Sequence, residues 1–144
     1  MSASLGGAIK AYLESKGLNI AFYRDAAPQG TKRPYGTIVE NIALVMDPLE
    51  SGGPATGATA TGTETVQLDL WQTWLKPDKT INEDPLLPDR ITNAIHGARL
   101  LSTPPASVSP KLVYAILQRG RVRILDRDAG IVHHAYTLAV KRVI

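Results

Sequence analysis

Apolar and polar positions alternate along this chain with a period that changes several times, and each change marks an element. Leu5, Ile9, Tyr12 and Leu13 recur at helical spacing, with Lys10, Glu14 and Lys16 between them. Ser4 suits the N-cap and Gly17 the left-handed residue that stops a helix, so the pattern predicts an amphipathic helix from about Ser4 to Lys16. Asn19 to Arg24, with Ile20, Phe22 and Tyr23, reads as a short strand closed by a polar turn from Ala27 to Pro34. From Tyr35 to Val45 the period becomes two: Ile38, Ile42 and Leu44 share one side, Val39, Asn41 and Ala43 the other. Glu64 to Leu75 repeats it with Val66, Leu68 and Leu70, and the two strands are expected to pair as a long hairpin.

A second helix is predicted to start between Asp84 and Asp89, because Asp84-Pro85 and Leu87-Pro88 both suit a helix entrance. Ile91, Ala94, Ile95 and Ala98 then fall on one face, and the helix ends near Leu101, before Ser102-Thr103-Pro104-Pro105. Lys111 to Leu125 and Ile131 to Val143 read as two strands joined at Asp126-Arg127-Asp128-Ala129-Gly130, a turn in which Gly130 supplies positive φ. Strands in adjacent antiparallel pairs, with two helices to cover them, predict an α+β fold. The expectation is an antiparallel sheet of about four to five strands with two helices packed on one face, as one domain over 1–144.

Between the first two long strands, residues 47–63 are small and polar, with too little apolar mass to offset the entropy of ordering them. A mobile hairpin loop at about 47–63 is the expectation. Loops this long inside a compact domain are usually functional or disordered.

Composition narrows the classes. A hydrophobic share of 44% with 20% charged residues is ordinary for a folded domain and argues against disorder of the whole chain. Without cysteine there are no disulfide staples, thiolate zinc sites or thiol nucleophiles. No stretch approaches the roughly 18 apolar residues of a membrane span, and the amino terminus lacks a basic run followed by an apolar one, so the cytosol is the expected compartment and no membrane partner is expected. A net charge of +3 tolerates a nearby polyanion without the dense basic clusters of a dedicated nucleic-acid binder.

Candidate chemistry is sparse. His133 and His134 are adjacent on a predicted strand and must point to opposite faces, which leaves them unable to share a metal; His96 reads as a partly exposed helix residue. Asp126 to Gly130 has a trace of a calcium loop, but its glycine comes one place early and Thr137 stands where the bidentate Glu belongs. The glycines at 52, 53, 57 and 62 precede no Lys-Ser/Thr pair, and a small hydrolase built on Asp69 or Asp126 has only isolated carboxylates behind it. No catalytic residue, cofactor or metal is assigned. Arg119, Arg121 and Arg123 alternate along a strand, so their guanidinium groups are expected on one face, a row able to meet DNA phosphates. Trp71 and Trp74 are expected on opposite faces, with at least one of them a candidate for a subunit interface.

The order of segments resembles the tail terminator (tail completion, or minor tail) proteins of long-tailed bacteriophages. The likeness rests on the first helix, on the strands Pro34-Tyr35-Gly36-Thr37-Ile38-Val39 and Glu64-Thr65-Val66-Gln67-Leu68-Asp69-Leu70-Trp71, and on the helix Asp89 to Gly97. It ends in the closing strand His134-Ala135-Tyr136-Thr137-Leu138-Ala139-Val140. The resemblance implies a structural subunit, not an enzyme, of a homo-hexameric ring in the neck of a virion, assembled in the host cytoplasm. Such a ring caps the tail tube, ends its polymerisation and presents the surface that docks the head. Its implied partners are further copies of itself, the tail-tube protein, the connector or stopper protein, and genomic DNA passing through the lumen without sequence specificity. On this resemblance the segment with Asp47, Glu50, Gly52, Gly53, Pro54, Gly57 and Gly62 is a candidate assembly arm that orders on contact with the tube or connector. Alternatives in the same class are a head-completion or connector-side protein or a tail-tube subunit; a small non-specific DNA-binding module is a different one.

Overall fold

A computed structural model describes residues 5–46, 61–101 and 112–143. In chain order they form α1 (Leu5–Glu14), β1 (Ala21–Arg24), β2 (Tyr35–Met46), β3 (Thr61–Thr73), α2 (Leu87–Ile95), β4 (Arg99–Leu101), β5 (Leu112–Asp126) and β6 (Ile131–Val143). The six strands make one sheet in the order β1-β2-β3-β6-β5-β4.

The hairpin β2–β3 was expected from two period-two segments and β5–β6 from two strands joined at a turn. What joins them is the antiparallel β3–β6 ladder, unbroken from Thr61 opposite Val143 to Thr73 opposite Ile131. Along it Val66, Leu68 and Leu70 alternate inward beside Leu138, Tyr136 and His134, so these central strands carry the floor of the core. Leu5, Ile9 and Leu13 of α1 and Leu87, Ile91 and Ile95 of α2 belong to the same buried cluster, together with Phe22, Ile38 and Ile116. We call the face of the sheet that bears this cluster the inner face.

The expected four- to five-stranded antiparallel sheet covered by two helices is corrected on two counts. The chain is mostly sheet: its strands run to twelve, thirteen and fifteen residues, against helices of ten and nine. The sheet is also mixed, because β1 runs parallel to β2, with Ala21 opposite Tyr35 and Arg24 opposite Ile38. The sixth strand, β4, occupies the segment predicted as the end of the second helix. That helix stops at Ile95, since Gly97, at φ 78°, turns the chain and Gly97 N–H donates to the Ile116 carbonyl.

Two bulges interrupt the period. In β2, Val39 faces Gln67 but Ala43 faces Thr65, so three residues oppose one, and Ile42, expected on the side of the buried Ile38, is 49% exposed. In β5, Gln118 faces Leu138 but Gly120 faces Thr137, which leaves Arg119 unpaired.

Long-range hydrogen bonds seat the helices. Gly6 N–H donates to Glu40 Oε2 at 2.6 Å, placing a carboxylate at the positive end of α1, and Glu40 also accepts from Arg24 Nη2 at 2.6 Å. Tyr12 donates its hydroxyl proton to the Ala94 carbonyl at 2.8 Å, and the buried Tyr136 to that of Pro88 at 2.9 Å. Desolvation lifts the Tyr136 phenol to about 12, which keeps it a donor.

Candidate interaction surface

The outer face of the sheet, away from the helices, carries an aromatic and polar ladder. Tyr35, Trp71, His133 and Ile124 lie in one row across four strands, and Thr37, Asp69, Ala135 and Val122 in the next. Trp71 stacks on His133 with centroids 4.1 Å apart and planes 12° from parallel, and Tyr35 lies on its other side at 6.4 Å. The indole Nε1 donates to Thr37 Oγ1 at 3.2 Å.

In the next row Asp69 is 5% exposed, although no described helix lies over its strand on that side. It is hydrogen-bonded to His133 Nε2 at 2.7 Å, and Gln67 Nε2 donates to both its oxygens at 3.0 Å. Asp69 is therefore not the isolated carboxylate expected from sequence. Its partner stands 64 positions away, a separation that no local pattern reports. The pairing fixes the imidazole flat against the indole, and the product is a stiff plate. Beside it on β5, Leu117, Val122 and Ile124 are 45%, 60% and 47% exposed. Aliphatic groups on this scale, next to rigid aromatics, are the composition of an interface core.

Arginines expected in one row are split by the β5 bulge. Arg121 pairs in register with Tyr136 and Arg123 with His134, both on the inner face. Arg119 lines a cleft with Leu117, Ala139 and Lys141 on the outer side. The inner two are engaged within the fold. Arg121 Nη1 meets Asp89 Oδ1 at 2.9 Å, donates to Thr92 Oγ1 at 3.1 Å and lies over the Tyr136 ring at 6.0 Å. Arg123 donates twice to Glu83, at 2.6 and 3.2 Å, and holds that carboxyl below its ordinary range. These contacts clamp α2 and its approach onto β5.

His134, on the inner face, is pushed below its ordinary value by burial, against the opposing pull of Glu83. Its Nε2 stands 3.8 Å from Glu83 Oε2, beyond hydrogen-bonding distance. His96 is exposed, as expected, and its Nδ1 accepts from the Gln118 N–H at 3.0 Å. Trp74 follows β3 half-buried; its N–H donates to the Gly130 carbonyl at 2.7 Å and its carbonyl accepts from Asn82 N–H at 2.8 Å. It therefore closes one end of the sheet, while Trp71 sits in the outer plate. Of the expected arm, Gly62 is buried within β3 opposite Met46 and Arg142, and Asp47, Glu50, Gly52, Gly53, Pro54 and Gly57 lie outside the described residues. Among the described residues no group of three or more His, Cys, Asp or Glu is placed to hold a metal.

No family model matches the sequence, and neither does any curated protein. Among solved structures, a chain of the virion of a native gene transfer agent (GTA) particle shares the fold. The TM-score is 0.60 over 99% of this chain and 100% of that chain, with 11% of residues identical. At that identity the likeness is one of fold.

Proposed function

We propose that this chain is a structural protein of a phage-like particle, a subunit of a ring that caps the tail tube, ends its polymerisation and offers the head its docking surface. The observation that carries this reading is the end-to-end fold match to a chain of a virion, with almost nothing left over in either chain. A domain that needs no added segment to match a virion chain is suited to the same kind of work: packing against copies and neighbours. The outer plate and its exposed aliphatic border supply a surface for such packing, and the sequence resemblance to tail terminators supports a position at the end of the tail tube.

A tail-tube subunit would use similar surfaces, and one experiment separates the two. Purified protein is imaged by electron microscopy alone and after mixing with tail tubes. A terminator forms single rings, found at tube ends, and stops tubes from lengthening; a tube subunit forms cylinders by itself. Absence from tube ends removes the terminator reading. The DNA-binding alternative loses support from the arginines, since Arg121 and Arg123 are paired with Asp89 and Glu83.

A further inference from the structure

Both ends of the sheet are stepped. On one edge β1 covers β2 only from Tyr35 to Ile38, and no described strand lies beside Val39–Met46 on that side. On the other, β4 covers the Leu112–Ala115 end of β5, Gly97 and Ala98 extend the cover to Ile116, and no described strand lies beside Arg119–Asp126. Uncovered strand edges present unpaired N–H and C=O groups that template pairing with another chain.

The two steps stand at opposite heights. Following the ladder across the sheet, Tyr23 is level with Thr37, Asp69, Ala135 and Val122. Leu100 is level with Tyr114, Arg142, Gly62 and Met46. So β1 stands level with the uncovered part of β5, and β4 with the uncovered end of β2. Two copies set side by side at one height form a half-lap: β1 of the first fills the gap beside β5 of the second, and β4 of the second fills the gap beside β2 of the first.

Side chains at the steps suit this arrangement. The half-buried Tyr23 comes level with Val122, 60% exposed, on the outer face, and Leu100 comes level with Met46, 51% exposed, on the inner face. Asp25, the residue that follows β1, donates its N–H to the Ile38 carbonyl and in the joint comes near the bulge at Arg119; both are exposed and of opposite charge.

The geometry points to head-to-tail association with further copies of this chain, β1 running antiparallel to β5 of its neighbour and β4 parallel to β2. Each step complements the opposite step and not itself, so the contact is heterologous and repeats from copy to copy. Because the copies meet at one height, repetition does not climb, and curvature closes it into a ring. The inference rests on the ring reading above and specifies its interface.

The test uses the absence of native cysteine. Tyr23→Cys and Val122→Cys proteins are mixed in equal amounts and oxidised; opposed positions on paired strands lie within disulfide reach. The expected result is a mixed disulfide dimer, no dimer from either protein alone, and a ladder ending at the ring size from the double variant. A link from Tyr23→Cys to Ile124→Cys, a slip of two residues, also sustains the joint. Self-linking of either single variant as readily as the mixture, oligomers without mixed links, or no association at all would overturn it. As a second readout, Asp25→Lys weakens assembly several-fold and Arg119→Asp added to it restores assembly; no rescue counts against the joint. Tube capping is scored separately. Mixed links without capping sink the terminator role and leave the joint standing, whereas capping rings without links do the reverse.

Discussion

Trp71 and His133 stack 4.1 Å apart on the face of the sheet that no described helix covers, and the same imidazole is hydrogen-bonded to Asp69 at 2.7 Å. That carboxylate is only 5% exposed, held by His133 and by Gln67. Trp71→Ala removes the stack on His133 and the hydrogen bond to Thr37. An aromatic pair is worth about 0.5–1.5 kcal/mol beyond its buried area, so a loss of about 2–3 kcal/mol is expected. Urea unfolding followed by circular dichroism measures it, and a loss below about 0.5 kcal/mol would show that the plate is not structural.

Gly36 is required by its neighbour. A Cβ there would stand 2.5 Å from Phe22 Cε1, with Cδ1 nearer still, and the Phe22 ring is 1% exposed and cannot swing into solvent. Gly36→Ala should destabilise by about 1–3 kcal/mol, as overpacking does. Adding Phe22→Leu should return part of that loss. Strict additivity of the two changes in unfolding measurements would contradict the clash.

Acid should loosen the inner face in two stages. Burial depresses the folded-state value of His134 below its ordinary 6.5, so the unfolded chain takes up a proton first; stability is full above that pH and falls as pH drops through the folded value. The Arg123 hydrogen bonds depress Glu83 below its ordinary 4.5, so its contribution is present above that pH and fades as pH falls further. His134→Gln should abolish the first stage and leave the second. Melting temperatures from pH 7.5 to 4 decide this; an unchanged profile would remove His134 from the account.

The split arginine row predicts unequal effects. Arg123→Ala breaks a two-point contact with Glu83 and should cost about 1 kcal/mol, the upper end for an exposed pair. Arg119→Ala, at the bulge, should stay within about 0.5 kcal/mol of the parent. Equal losses at both positions would mean that the Glu83 contact does not stabilise the fold.

Local pattern carried much of this protein. The helical spacing of Leu5, Ile9 and Leu13 and the alternation of Val66, Leu68 and Leu70 located α1 and β3, because each period reports which side of one segment meets the core. Gly17 and Gly130, at φ 69° and 67°, ended elements where expected, since backbone sterics there are local. The parallel seat of β1 beside β2, the three residues of β4, the bulge that turns Arg119 away from Arg121, and the meeting of Asp69 with His133 were settled by tertiary structure. Each depends on which distant strand lies alongside, a matter of pairing between segments, and a period along one segment holds no record of its neighbour.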